Sequence, residues 1–405
     1  MQYLDKLKLQ IKNFMQLLNK IQKIALYLFF FSINFEMMQL FPQNETFSLS
    51  KLAAILYFLT VIPQYNFYLR TDNIKRFLVP AFLFFIFETV MNLFNINETT
   101  SAFFDSTLLL NILFFWLIIN HERKEHLVVE KAMLSFALGA VALTLFFLAG
   151  IGVDYEGGRV SMFGDDQNYI GFRMVVAIFI LVFAALQNRL KMGWSRLLLL
   201  IPIPFMLNLI FATGSRGAFL SFVTTFVIAI ILYKTKDLWK KLVAVFIGLV
   251  VLLFIGLALL ESPTMKSRLE DSAETGNTAG RTEIWQNVIQ IIKKNPIFGI
   301  GKTGYEYETT MIYGEYTSPH NVILEILCYT GIIGLIIYFT FLYQIGMSSY
   351  FIYKQQSLLL PILLLFPVLG MILSIQILTK KFGWIIFAYI VSTLAIKHNS
   401  VILKK

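Results

Sequence analysis

Three arginines and a histidine stand in polar intervals between long apolar runs: Arg159, Arg216, Arg281 and His320. Arg216 lies in Gly214-Ser215-Arg216-Gly217-Ala218, at the head of one such run. Small neighbours let a backbone approach a ligand closely, and a planar guanidinium grips a phosphate through two parallel hydrogen bonds. The plainer reading is an interfacial arginine snorkelling to lipid headgroups. Arg281 opens Gly280-Arg281-Thr282-Glu283-Ile284-Trp285, the start of a segment that places Ile284, Trp285, Val288, Ile289 and Ile292 on one helical face. Free N–H groups and the helix dipole at such a start favour an anion. His320, in Ser318-Pro319-His320-Asn321, is of the residue type that accepts a proton near pH 7, although interfacial histidines also serve as plain polar anchors.

Arg159 belongs to the polar interval Gly157–Asn168, which also holds Asp165 and Asp166. Arg173 follows inside the next apolar run, where a charge needs a partner; Asp165 or Asp166 is placed to supply it. Two adjacent aspartates also suggest a metal, but no third ligand follows at suitable spacing. Gly301-Lys302-Thr303 resembles the end of a phosphate-binding loop, yet the glycine required five residues before Gly301 is replaced by Pro296. His121, His126 and His398 read as solvated residues without a role.

The elements that must carry these groups are hydrophobic helices. Of 405 residues, 57% are hydrophobic and 14% charged, well below the roughly 25% charged of soluble domains. Apolar runs of about 16–23 residues match the length a helix needs to cross a bilayer, and internally bonded helices suit lipid better than open strands. About twelve such runs occur: Ile24–Leu40, Leu52–Leu69, Phe77–Leu93, Phe103–Ile119, Ala132–Ile151 and Tyr169–Leu186, then Leu197–Phe211, Ala218–Tyr233, Leu238–Leu260, Val322–Leu342, Leu358–Ile377 and Phe382–Ile396. The expected class is an all-α, polytopic integral membrane protein with one long outer loop between its ninth and tenth spans. The expected organisation is a cytoplasmic amphipathic segment (1–23), spans one to nine (24–260), an outer loop with an amphipathic helix (261–319), and the last three spans with a cytoplasmic tail (320–405).

Basic residues set the expected orientation. With the amino terminus inside, the cytoplasmic connections hold Arg70, Lys75 and Arg76; Arg123, Lys124 and Lys131; Arg189, Lys191 and Arg196; Lys234, Lys236, Lys240 and Lys241; and Lys354. Lys397, Lys404 and Lys405 follow in the tail. The outward connections Phe41–Ser50 and Asn95–Ala102 have neither lysine nor arginine. Lys380 and Lys381 break the rule. Arg159, Arg216, Arg281 and His320 all fall outside, and Glu88 is an intramembrane exception among the acids. The net charge of +10 reflects this topology and attraction to anionic lipid; nucleic acid is not expected as a partner. A single cysteine, Cys328, excludes an internal disulfide framework.

Five motifs occur in a fixed order: Gly-Ser-Arg-Gly-Ala at 214–218, Gly-Arg-Thr-Glu-Ile-Trp at 280–285, Asn-Pro-Ile-Phe-Gly-Ile-Gly at 295–301, Pro-His-Asn-Val-Ile-Leu-Glu at 319–325 and Gly-Ile-Ile-Gly at 331–334. Together with the long outer loop they resemble the O-antigen ligase and O-antigen polymerase superfamily, over roughly 157–335. That resemblance implies a GT-C-like membrane glycosyltransferase of the bacterial cytoplasmic membrane, with its active site facing the periplasm or outside. It implies inverting transfer without metal or cofactor. The donor is an undecaprenyl-diphosphate-linked oligosaccharide and the acceptor a glycan or lipid A–core, in surface polysaccharide (lipopolysaccharide) biosynthesis. Carried over by residue, Arg216 and Arg281 bind the diphosphate and His320 is the catalytic base or orients the acceptor. Arg159, Asn168, Ser215 and Asn321 supply further donor or acceptor contacts. Ligase, polymerase and protein-glycosylating members share the donor chemistry; the His320 motif favours the ligase. A transporter or flippase of polysaccharide or lipid is the alternative of another class, but no repeat between halves is evident.

Overall fold

The computed structural model describes residues 2–39, 48–95, 104–235, 237–275 and 280–402. Most of the two short outward connections expected above, together with Lys236, Lys404 and Lys405, lies outside these residues. The chain begins with α1 (Gln2–Ser32), α2 (Leu49–Val61), α3 (Tyr65–Tyr68), α4 (Lys75–Phe94), α5 (Ser106–Lys124) and α6 (Val128–Leu148). A hairpin of β1 (Val153–Glu156) and β2 (Arg159–Met162) leads into α7 (Gln167–Gln187), then α8 (Ile203–Thr213), α9 (Arg216–Leu232) and α10 (Leu238–Glu261). Three polar helices follow, α11 (Pro263–Thr275), α12 (Arg281–Lys294) and α13 (Gly301–Tyr313). The chain closes with α14 (Val322–Gln356), α15 (Leu360–Leu363), α16 (Leu365–Ser374) and α17 (Lys381–Ile402).

Five helical segments are long and apolar enough to cross a bilayer: Lys75–Phe94, Val128–Leu148, Gln167–Gln187, Gly193–Thr213 and Val322–Gln356. The other expected runs are helices that are shorter, broken or charged. The run from Leu52 is interrupted after Val61, where Pro63 cannot donate a backbone hydrogen bond. The amphipathic start and the first apolar run form one continuous helix, α1. The antiparallel hairpin, pairing Val153 with Met162 and Glu156 with Arg159, adds a small β element to the all-α expectation.

α7 is the hub, with 72% of its apolar window buried against 28–50% in the other four segments. It packs on α6, α8 and α9, while α14 packs on α4, α17 on α5, and α1 on α2 and α6. Elsewhere the helices present large apolar side chains outward, among them Leu249 and Leu253 of α10 and Ile332, Ile336 and Phe339 of α14. Apolar surface on several sides of a helix suits lipid rather than water.

α14 is broken at Gly331, whose φ of 59° and ψ of −160° interrupt its 35 residues. An unbroken helix of that length would run about 52 Å, well beyond a hydrocarbon core of about 30 Å. Residues 296–300 insert at the break and take over its backbone partners. Ile300 N–H donates to Cys328 O at 2.8 Å, and Ile332 and Ile333 N–H donate to Pro296 O and Ile297 O at 3.0 and 3.4 Å. A Cβ on Gly331 would lie 2.3 Å from Ile297 O, and one on Gly299 2.6 Å from Cys328 O. The glycines of these two motifs therefore permit a backbone crossing.

Candidate active site

Arg159, Arg216, Arg281 and His320 are brought to one end of the bundle. The basic connections around Arg70, Arg123, Arg189 and Lys354 lie at the opposite ends of the same helices, since α7, α9 and α14 each start at the site and finish there.

α8 ends at Thr213, Gly214 turns the chain in the left-handed conformation, and Ser215 caps α9, its Oγ accepting from Ala218 N–H at 3.4 Å. Arg216 is thereby the first residue of α9. From the hairpin, Arg159 donates through Nε to Thr213 O at 2.8 Å and through Nη2 to Asn168 Oδ1 at 3.1 Å. Asp166 caps α7, accepting from Asn168 N–H at 2.7 Å. A Cβ on Gly214 would lie 3.0 Å from Arg268 Cδ and 3.3 Å from Arg159 Cγ, so both arginine stems lie against the bare backbone of that turn. α11 is held there by Thr264 Oγ1, which donates to Gly158 O at 3.1 Å, and Arg216 Nη1 donates to Arg268 O at 3.4 Å.

The opposing half comes from α12 and the chain before α14. Arg281 is the first residue of α12. Trp285, one turn on, donates its indole N–H to Pro319 O at 2.8 Å, which fixes His320 relative to Arg281. His320 has a φ of 47°, and its N–H donates to Ser318 Oγ at 3.1 Å. Asn321 caps α14, Oδ1 accepting from Ile323 and Leu324 N–H at 3.0 and 3.2 Å. Ser215 and Asn321 therefore set the helix starts beside Arg216 and His320.

The four arginines feel one another. Burial and the neighbouring Arg268 draw Arg159 down to about 10, with Asp166 and Glu156 opposing and Arg216 adding to the shift. Burial and Arg216 also lower Arg268, against Asp271. Arg281 is lowered by burial and Arg216, with Asp166 pulling the other way and Arg268 adding. Burial and Arg281 push His320 below its usual range, again opposed by Asp166. A guanidinium is not deprotonated near neutral pH. Positive charge crowded at helix starts, with Asp166 as its shared counter-charge, favours an anion, and the imidazole beside it is neutral at pH 7.

Arg268 is the residue that the sequence did not single out. Its signal was weak: α11 has no apolar stripe that would mark it as a packed helix. Asp165, not Asp166, is the partner of Arg173, which also donates to Ile33 O at 2.6 Å. Among the described residues no group of three or more His, Cys, Asp or Glu is placed to hold a metal ion. Lys381 pairs with Glu36 at 2.5 Å and Lys380 lies 4.4 Å from the centre of the Tyr169 ring, so both exceptions to the charge rule are partnered. On α12, Ile291 rather than Ile289 is buried with Val288, because the helix packs on α14 in a cluster with Tyr305, Cys328 and Tyr329. His121 is buried, not solvated: its Nδ1 lies 3.1 Å from Tyr57 Oη and its ring stacks on that tyrosine. A cavity of about 830 Å³ opens at the opposite end of the bundle, between Asp72, Arg76, Tyr343 and Phe351, and Arg159, Arg216, Arg268 and Arg281 do not line it.

Residues 202–339 match the family model described as O-antigen ligase. Over this segment the chain is similar to the O-antigen ligase family. The match bears out the resemblance drawn from the motifs, and the family segment holds Arg216, Arg268, Arg281 and His320 while Arg159 and Asn168 precede it. A protein of Haemophilus influenzae (strain ATCC 51907 / DSM 11121 / KW20 / Rd), described as an uncharacterized protein, is 26% identical over 338 residues, 75% of this chain and 80% of its own length. The O-antigen ligase match and the five long apolar helices together fit an integral membrane protein.

Proposed function

We propose that this protein transfers a glycan from undecaprenyl diphosphate to an acceptor hydroxyl at the outer face of the cytoplasmic membrane, with inversion at the anomeric carbon. The observation that carries the reading is the crowding of Arg159, Arg216, Arg268 and Arg281 on one another, with Asp166 near Arg159 and Arg281 and neutral His320 beside Arg281. His320 takes the proton of the acceptor hydroxyl as its oxygen bonds to the anomeric carbon. The bond from that carbon to the diphosphate breaks, and its electron pair leaves with undecaprenyl diphosphate. Charge grows on the leaving diphosphate in the transition state, so fixed cations aimed at it stabilise that state more than the ground state. The guanidiniums do here what a metal ion does in other diphosphate sites. The polyprenyl tail stays in lipid against the apolar helices.

The ligase is the preferred member of the family, and a repeat-unit polymerase shares every step but the acceptor. The test is transfer by purified full-length protein, given an undecaprenyl-diphosphate oligosaccharide and either lipid A–core or a second donor molecule, in EDTA. Product on lipid A–core is expected, and a ladder on the donor lipid assigns the polymerase. Loss of all product in EDTA, restored by a divalent cation, overturns the metal-free mechanism. No transfer with or without metal overturns the function.

A further inference from the structure

A second polar cavity, of about 150 Å³, lies beside the arginine cluster. The segment between α16 and α17 separates the two: Gln376 turns its side chain into the cavity, while its carbonyl accepts from Tyr169 Oη at 2.7 Å, in the first turn of α7 just after Asp166. A cavity of that size holds several waters and is large enough for one sugar ring.

Its lining is strongly acidic. Glu88 from α4, Asp105 at the start of α5, Glu306 from α13 and Glu325 from α14 face a single ammonium, Lys302. Lys302 Nζ lies 3.5 Å from Asp105 Oδ2. Burial works against its charge, but Asp105, Glu306 and Glu88 outweigh burial and hold it above its usual range. Glu325, 5% exposed, is fixed from one side, where Oε1 accepts from Tyr329 Oη at 3.2 Å and Gln376 Nε2 at 3.1 Å. Its Oε2 is buried with no hydrogen-bond partner among the described residues. A carboxylate oxygen without a donor is costly away from bulk water, so an occupant of this cavity must bring one. A metal is not indicated, since no group of three or more suitable ligands is placed to hold it among the described residues. Glu325 lies in the first turn of α14, immediately beyond the Asn321 cap and His320.

We propose that this cavity is the acceptor subsite, and that it takes a neutral or amino sugar in preference to a uronic or phosphorylated one. The proposal rests on the transfer reading above. Hydroxyl or ammonium groups of the sugar meet Glu325 Oε2 and the Glu88 carboxyl group. An anionic sugar meets Asp105 and Glu306 against the single ammonium of Lys302. Donor diphosphate and acceptor sugar thus occupy pockets of opposite sign on the two sides of the segment holding Gln376, with His320 at the border.

The test uses full-length protein in detergent and three probes, glucose, glucosamine and glucuronate, with binding followed by saturation-transfer NMR. Glucose and glucosamine are expected to bind and glucuronate not. Glu325→Gln should weaken the first two about tenfold or more, the scale of one charged hydrogen bond, whereas Arg281→Ala should leave sugar binding unchanged. Glu306→Gln, in the same lining, decides the matter if Glu325→Gln does not fold, and should narrow the discrimination against glucuronate. Wild-type protein that binds none of the sugars, or binds glucuronate as well as glucose, overturns the proposal, as do folded variants that bind like wild type. Selective sugar binding by a protein that transfers no glycan would overturn the transfer reading instead, leaving a carbohydrate site without that role.

Discussion

Trp285 donates its indole N–H to the carbonyl oxygen of Pro319 at 2.8 Å, and this bond ties the helix that starts with Arg281 to the residue preceding His320. Trp285→Phe keeps the ring and removes the donor. Turnover is expected to fall about two- to tenfold, the worth of one hydrogen bond, with little change in melting temperature. Unaltered turnover would show that the tether does not set the His320 position.

The arginines should differ from lysines in effect. Arg281→Ala and Arg216→Ala are each expected to lower kcat by about 10²–10³-fold, as with a lost oxyanion donor. Arg281→Lys retains the charge but not the planar fork and should recover only part of the loss. Full activity in Arg281→Lys would reduce the role of Arg281 to that of a point charge. Initial rates at saturating donor make the comparison.

His320 gives a pH signature. Burial and Arg281 lower its pKa, so the base form persists below the ordinary histidine value of about 6.5, and kcat/KM should hold from neutral pH down past that point before it falls. Removing the cation in Arg281→Met should move the acid limb to higher pH. Removing the opposing carboxylate in Asp166→Asn should move it lower. Limbs that do not move, or that move in the reverse sense, would exclude His320 as the titrating base.

Arg173 and Asp165 form a buried pair inside the bundle, Arg173 being 2% exposed. Asp165→Ala strands that charge and should destabilise the protein by about 3–5 kcal/mol. The double change Asp165→Leu with Arg173→Leu should recover much of it, because replacing a whole buried pair is often close to neutral. Thermal melting in detergent reads both. A double variant as unstable as the single one would show that the backbone contacts of Arg173 to Ile33 O and Tyr169 O matter more than the ion pair.

Gly331→Ala places a methyl group 2.3 Å from Ile297 O, at a φ of 59°. Left-handed strain alone costs about 1–3 kcal/mol in a residue with a side chain, and the clash is with backbone, which cannot rotate away. Turnover and melting temperature should both fall although no group of the site is altered. A variant with wild-type melting would contradict the tight crossing.

The sequence made the helices legible because lipid imposes run lengths that are hard to disguise. The interruptions were less so. Pro63 and Gly331 are visible as residue types, but whether a helix resumes, and what fills the break, depends on the chain inserted from 296–300. Arg216, Arg281 and His320 could be found because each sits at the start of a helix, next to glycine, proline or a capping residue. Arg268 could not, since it reaches the cluster only through the packing of α11 on α8 and the hairpin. The partner of Arg173 was half legible: two aspartates were available, and the cap geometry of α7 turns Asp166 outward to the arginines and Asp165 inward. The acidic cavity was hidden because its four carboxylates come from four separate helices, and only Glu88 was conspicuous, as an acid within an apolar run.

Main-chain bonds fasten the short first piece of α14 to residues 296–300, and ordinary side-chain replacements leave such bonds available. The exposed surfaces of α11 to α13 can therefore change in sequence without dislodging the imidazole from its post.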